Sequence, residues 1–168
     1  MKSIKDFIGI VKKVKPTGIS ELRNRGYRLR YLGEGTFRIT YRIVGLPIVI
    51  KFPLPTDDDE KYKSCAYVYE SNVGHSNSEV EALRKIPKIK KLTPLRKYTP
   101  KLHYHDSRGV IIMEYCKPLR GKNKNLGKVA EAWQLSIGVD ENDHDIGYWN
   151  VGKNAKGRLK IVDFGLFF

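Results

Sequence analysis

The chain has 168 residues, 40% of them hydrophobic, enough for one domain with an apolar core and too many for a disordered segment. Lys and Arg outnumber Asp and Glu by 32 to 18, and the net charge of +14 draws the surface towards polyanions such as nucleotides, nucleic acid, anionic lipid or an acidic protein face. Only Cys65 and Cys116 are present, so no disulfide framework is implied; no apolar run nears the roughly 20 residues that cross a bilayer, the start carries no secretory apolar region, and a cytoplasmic protein is expected.

Ile4, Phe7, Ile8, Val11 and Val14 recur at helical spacing among lysines, and Pro16 and Gly18 stop the pattern. Such a basic amphipathic helix either docks on the domain or lies on a membrane surface. A short second helix is expected near Ile19 to Arg25. From Tyr27 the pattern turns to strands, Tyr27 to Leu32, Phe37 to Val44 and Ile48 to Phe52, with turn residues Gly33, Gly35, Gly45 and Pro47 between them. This is an antiparallel meander. In Gly33-Glu34-Gly35-Thr36-Phe37 the glycines would let backbone N–H groups approach a phosphate without a Cβ in the way. Lys51 closes the apolar run Ile48-Val49-Ile50, where a lysine ordinarily snorkels to water.

Asp57 to Glu60 is acidic and Lys61 to Gly74 has no clear period, so both read as a solvated insertion. Val80, Leu83 and Ile86 then give one apolar helix face before Pro87, with Glu79 and Glu81 as the acidic residues near it. Ser76 with Glu79, or Ser78 with Glu81, would also make a capping box. The basic run 84–101 contains no acidic residue; it either grips an acidic partner or nucleic-acid phosphates, or is a solvated loop. Leu102 to His105 and Val110 to Tyr115 read as strands joined by Asp106-Ser107-Arg108-Gly109. His103 and His105 share a strand face but lack a third ligand for zinc. Lys117 to Lys128 is basic and loop-like, and Leu126 to Ile137 is expected to form a helix with Val129, Trp133 and Ile137 on one side.

The last quarter contains Asp143-His144-Asp145-Ile146-Gly147-Tyr148-Trp149-Asn150, a polar turn at Lys153 to Lys156, and the strand Leu159 to Val162 running into Asp163-Phe164-Gly165. Asn150 and Asp163 flank a connection short enough to fold back, so both could reach one Mg²⁺, a hard ion that favours oxygen ligands. Asp145 is then left to accept a proton from an attacking hydroxyl.

These motifs resemble those of the protein kinases, whose signatures are a Gly-rich loop G-x-G-x-x-G, the V-A-I-K strand, H-R-D-L-x-x-x-N and D-F-G. The likeness covers about Tyr27 to Gly165, with the motifs in kinase order. It implies an α+β, kinase-like fold: an antiparallel five-stranded N-lobe with one regulatory-type helix, and a severely reduced C-lobe of one helix and the catalytic hairpin. As a single domain, 1–168 would comprise a helical extension at 1–26, the N-lobe at 27–115 and the C-lobe at 116–168.

The resemblance further implies ATP and Mg²⁺ as cofactors. Gly33 and Gly35 would cover the phosphates, Lys51 would hold them with Glu79 as its ion-pair partner and Glu81 as the runner-up, and Met113, Glu114 and Cys116 would receive the adenine as gatekeeper and hinge. Asp145 would be the catalytic base, and Asn150 and Asp163 the metal ligands. The expected reaction is phosphoryl transfer to a protein Ser or Thr hydroxyl, with Tyr as the alternative.

The chain stops three residues after Gly165, so an activation segment, the A-P-E motif and the substrate-holding helices are expected to be missing, as in small bacterial-effector or phage-encoded kinases acting on a host protein in the host cytoplasm. Arg38 stands where the third glycine would be, Asp143 and His144 where His and Arg would be, and Gly147 where a lysine would neutralise the γ-phosphate. Control by activation-loop phosphorylation is therefore not expected, and Lys153 or another basic group is the substitute for the missing lysine. The other readings are a catalytically weak or inactive kinase-like binding module, a nucleic-acid binder acting through the basic run, and a small-molecule kinase.

Overall fold

The computed structural model of the chain describes residues 3–15, 18–35, 37–54, 65–119, 128–129, 132 and 151–162, with backbone alone over 65–71. The chain divides into two compact units, Met1–Asn77 with Leu102–Glu114 and Ser78–Lys101 with Tyr115–Phe168. The first is a sheet of β1 (Leu29–Glu34), β2 (Arg38–Ile43), β3 (Ile48–Pro53), β4 (Leu102–His105) and β5 (Ile111–Glu114), in the order β1-β2-β3-β5-β4 with every neighbour antiparallel. Central β3 is buried at all its positions, as its near-continuous apolar sequence requires of a strand covered on both faces.

Alternation along the strands sorts the two faces. Ile48, Ile50 and Phe52 of β3, Tyr41 and Ile43 of β2 and Ile112 of β5 pack in one cluster with Phe7, Val11, Val14, Leu22 and Tyr27. Helix α1 (Ile4–Val11) and helix α2 (Ile19–Asn24) therefore cover that face. The apolar stripe of α1 is spent in this core, which decides for docking over the membrane surface. A capping box starts α1: Ser3 Oγ accepts from the Asp6 N–H at 3.1 Å, and the Asp6 carboxylate accepts from the Ser3 N–H at 3.1 Å.

The β4–β5 turn fastens the far end of α1. Arg108 donates from Nη2 to the Val11 carbonyl at 3.1 Å and from Nη1 to the Val14 carbonyl, answering a helix end rich in unpaired acceptors. Asp106 holds that guanidinium, with Nε to Oδ2 at 2.9 Å. Burial pushes the Asp106 carboxyl up, but the hydrogen bonds from Arg108 and Tyr104 outweigh it and hold the group below its ordinary value. Gly109 closes the turn at φ +75°, where a Cβ would meet Pro53 at 2.8 Å.

Helix α3 runs over Cys65–Lys85, so the expected insertion at Lys61 to Gly74 is corrected from residue 65 onward. From Asn72 to Ser76 the buried positions are polar and add no apolar period: Asn72 and Ser76 are buried, Asn72 Nδ2 donates to the Leu54 carbonyl at 3.3 Å and Ser76 Oγ donates back to the Asn72 carbonyl at 3.2 Å. Ser76 and Ser78 are thus interior to the helix, which overturns both capping boxes. Strand β1 also lies two residues later than expected at each end, because its pairing with β2 carries on to Glu34 through a bulge between Tyr31 and Gly33.

In the second unit the end of α3 buries Val80, Leu83 and Ile86 as the sequence predicts. The basic run contains a 3-10 helix, Lys90–Tyr98, rather than only a loop. Leu92, Leu95 and Tyr98 are its buried face, every third residue, which suits three residues per turn. Lys160 Nζ donates to the carbonyls of Lys97 and Thr99 at 3.1 and 2.8 Å and so caps it. Lys128, Val129 and Ala132 are helical, inside the helix expected at Leu126 to Ile137, whose other residues lie outside those described.

Strands β6 (Lys117–Pro118), β7 (Val151–Lys153) and β8 (Leu159–Ile161) form a second antiparallel sheet in that order. The β7–β8 hairpin is the expected one; β6 was not foreseen. Asn154 Oδ1 accepts from the N–H groups of Lys156 and Arg158 at 3.0 and 2.9 Å, and Gly157 at φ +72° completes the turn. The fold is α+β: among the described residues, the first sheet has five antiparallel strands, and one α-helix and the 3-10 helix lie between β3 and β4. Among the described residues no helix is long and apolar enough to cross a membrane.

Candidate functional site

Strand register gathers the front-half site residues. Gly33 pairs with Thr40, Thr40 with Lys51, Lys51 with Ile111 and Ile111 with His105, one row across all the strands of the first sheet. At about 4.8 Å between neighbouring strands, Gly33 and Lys51 lie about 10 Å apart. Directly opposed residues share a face, so Lys51 lies with Thr40 and Ile111, and Val49 with Met113, on the side away from α1 and α2.

Lys51 is 6% exposed, so it does not reach water in the ordinary way of a strand-end lysine. A buried ammonium demands compensation, and neither Lys51 nor Glu79 is without a partner. The first-unit part of α3 is pinned against this side of the sheet. Its His75 ring stacks on Phe37, directly after the glycine turn, with centroids 3.7 Å apart, and Asn77 Oδ1 meets His105 Nε2 at 2.9 Å. His105 is therefore engaged with α3, and among the described residues no group of three or more His, Cys, Asp or Glu could hold a metal ion.

In the second unit Glu79 is completely buried on α3, whereas Glu81 is exposed and pairs with Lys85 at 2.5 Å. That surface pair removes Glu81 as a buried ion-pair candidate. Met113 is buried and Glu114 half-buried at the end of β5; the chain then passes into the second unit, where Cys116 is buried. A Cβ on Gly152 would stand 2.9 Å from the Lys117 carbonyl and 3.0 Å from Cys116, so β7 approaches β6 closely there.

The glycine turn is not forced by the fold. Neither Gly33 nor Gly35 has a positive φ, and a Cβ on either would meet nothing within 4 Å. The Gly35 N–H donates to the Arg38 carbonyl at 2.9 Å. Arg38, in the third-glycine position, is buried and pairs with Pro53 in alternate register from Lys51, on the same face.

Asp145, Asn150 and Asp163 lie outside the described residues, as do Asp143, His144 and Gly147. Their neighbours in sequence are placed: Val151 pairs with Ile161 in the β7–β8 hairpin. Lys153 is exposed in that hairpin. Sequence reasoning missed Thr40, the Phe37–His75 stack and the Asn77–His105 contact. Counting back from Lys51 through a short β2–β3 turn would have found Thr40; the two contacts to α3 depend on a helix whose first turns carry no clear apolar period.

No protein-family model matches the chain, and no curated protein matches it. Among solved structures it is similar to an ADP-bound aminoglycoside phosphotransferase, APH(2'')-Ib, with a TM-score of 0.46 and 20% identity over 74% of this chain and 40% of that one. It is also similar to APH(2'')-IIa, in a ternary complex with streptomycin and ATP, with a TM-score of 0.44 and 19% identity over 72% of this chain and 40% of that one. WbdD aligns with a TM-score of 0.47 and 16% identity over 83% of this chain and 32% of that one. The chain thus spans 32% to 40% of the length of these proteins.

Proposed function

We propose that the chain transfers a phosphoryl group from ATP to a hydroxyl, with a protein Ser or Thr as acceptor and Tyr as the alternative. The observation that carries this reading is the burial of Lys51 in the same cross-strand row as Gly33 and on the same face as Met113. A buried cation two strands from a backbone turn with no Cβ in the way suits the phosphates of a nucleotide. Lys51 would bind the α/β-phosphates with Glu79 orienting it; Gly33 and Gly35 would cover the phosphates with no Cβ in the way, and Met113 would wall the adenine side with Glu114 and Cys116 at the hinge.

Asn150 and Asp163 contribute an amide oxygen and a carboxylate, hard donors that fit Mg²⁺. When bound, the ion would neutralise charge on the phosphates. Asp145 would orient the acceptor hydroxyl and take its proton as the oxygen attacks phosphorus.

Incubation with labelled ATP, Mg²⁺ and a lysate is expected to label the chain itself or a protein acceptor, and Asp145→Ala and Asp163→Ala are each expected to abolish the label. Equal labelling by these variants would end this reading, and no label at all would leave the kinase-like binding module; label found only on small hydroxylated compounds would move the acceptor to that class.

The glycine turn offers a separate check. Gly35→Ala is expected to leave thermal unfolding within about 1 kcal/mol of wild type, since the new methyl meets open space. Its ATP affinity, measured by calorimetry, is expected to drop by about tenfold, because the methyl would stand where the phosphates approach. Unchanged affinity would make the turn an ordinary hairpin connection.

A further inference from the structure

Among the described residues no strand pairs with the outer side of β1, and this edge of the sheet is chemically unusual. Strand β1 is terminal in the order β1-β2-β3-β5-β4, and its residues Arg30, Tyr31, Leu32 and Glu34 are exposed. The Val44 N–H donates to the Arg28 carbonyl at 2.9 Å, which sets Arg28 and, two residues on, Arg30 as the positions whose backbone faces β2. Leu29 and Tyr31 then turn their N–H and C=O groups outward. The preceding outward position, Tyr27, already gives its N–H to the Leu22 carbonyl of α2 at 3.1 Å, so the unextended stretch begins at Leu29.

Charge and apolar surface converge on that stretch. A groove of about 590 Å³ beside it is lined by Arg23, Tyr27, Arg28, Leu29, Arg30 and Val44, with no acidic residue among them. The nearby carboxylate of Glu21 is taken up by Arg25 at 2.8 Å. Arg30 stands directly opposite Arg42, so two arginines share one row at this edge. Tyr31 at 54%, Leu32 at 37% and Val44 at 39% are three of the large hydrophobic residues left exposed, all at this edge. An open, basic, partly apolar edge is a liability for a monomer and a template for strand addition.

We infer that β1 is a docking edge for an extended acidic segment of a partner protein, added to the sheet as a further strand. The spacing specifies the sequence it fits. Residues of an added strand alternate between the faces, so acidic side chains at every second position would meet Arg28 and Arg30, and apolar ones between them would lie on the side of Leu29 and Tyr31. The outward N–H and C=O groups supply the pairing and the arginines the selection, which favours a peptide over a nucleic acid. The docking stretch Leu29 to Tyr31, with Arg28, contains none of the residues of the proposed phosphoryl transfer.

The test uses the full chain and a fluorescein-labelled peptide of alternating Glu and Val, read by fluorescence anisotropy. Saturable binding is expected. Arg28→Glu with Arg30→Glu is expected to weaken it by at least about tenfold, and N-methylation of the peptide's β1-facing amides is expected to abolish it at unchanged charge. Thermal unfolding of the double variant should match wild type; if charge reversal unfolds the chain, the milder pair Arg28→Gln and Arg30→Gln takes its place with the same expectation. Equal affinity for variant and wild type, or for the N-methylated peptide, would overturn the inference. So would tighter binding of single-stranded RNA of equal charge, or a dimer whose dissociation by dilution is needed before the peptide binds, which would give the edge to a second copy of the chain.

Discussion

Lys51→Met is expected to lower phosphoryl transfer about 100-fold or more while leaving the chain folded. The figure follows from removing one preorganised donor from a water-poor site, where such a group contributes about 3 kcal/mol to the transition state. Methionine is chosen because Lys51 is 6% exposed in a strand whose other positions are all buried, so an apolar side chain of similar length fills the space. The measurement pairs initial rates of label transfer with a thermal unfolding curve. A variant that retains transfer within threefold, at about the wild-type rate, would show that the buried cation is structural and would remove the main support of the proposed reaction. A variant that fails to fold is recognised by its unfolding curve, and Lys51→Arg then serves: it keeps the charge but not the compact ammonium.

Phe7→Ala is expected to destabilise the first unit by about 3 to 5 kcal/mol, the usual loss for a buried aromatic ring with its cavity. Phe7 is completely buried and meets Tyr27 edge to face at a centroid distance of 4.9 Å. Spread over a chain of this size, the loss corresponds to a midpoint about 10 °C lower. A change under about 1 kcal/mol would mean that α1 adds little to the core. The expectation follows from α1 and α2 sealing one face of the sheet: without Phe7, Val11, Val14 and Leu22, the apolar side chains of β2, β3 and β5 on that face would lie open.

Period was a sufficient guide wherever burial is apolar and regular. The Ile4-Phe7-Ile8-Val11 spacing announces α1, and the alternation through Arg38 to Phe52 announces β2 and β3. It was no guide where packing is polar or the period is three. Residues 72–77 of α3 are held through Asn72, His75, Ser76 and Asn77, and the 3-10 helix buries Leu92, Leu95 and Tyr98 amid lysines. The sequence ranked Glu79 above Glu81 only through the resemblance, and the structure shows the physical difference: Glu79 lies on the buried side of α3 and Glu81 on the exposed side.

By itself, the sequence determined the order of α1, α2 and the strands β1 to β5, the β7–β8 hairpin and the presence of a lysine at the end of an apolar run, because alternation and helical spacing are local properties of the chain. Tertiary structure decided the rest: that Lys51 is buried rather than in water, that Gly33 shares its cross-strand row, that Glu79 rather than Glu81 is enclosed, and that β1 is left as an open basic edge. Each of these depends on register and on which element covers which face. Those are set by contacts between residues far apart in sequence, and no local pattern encodes them.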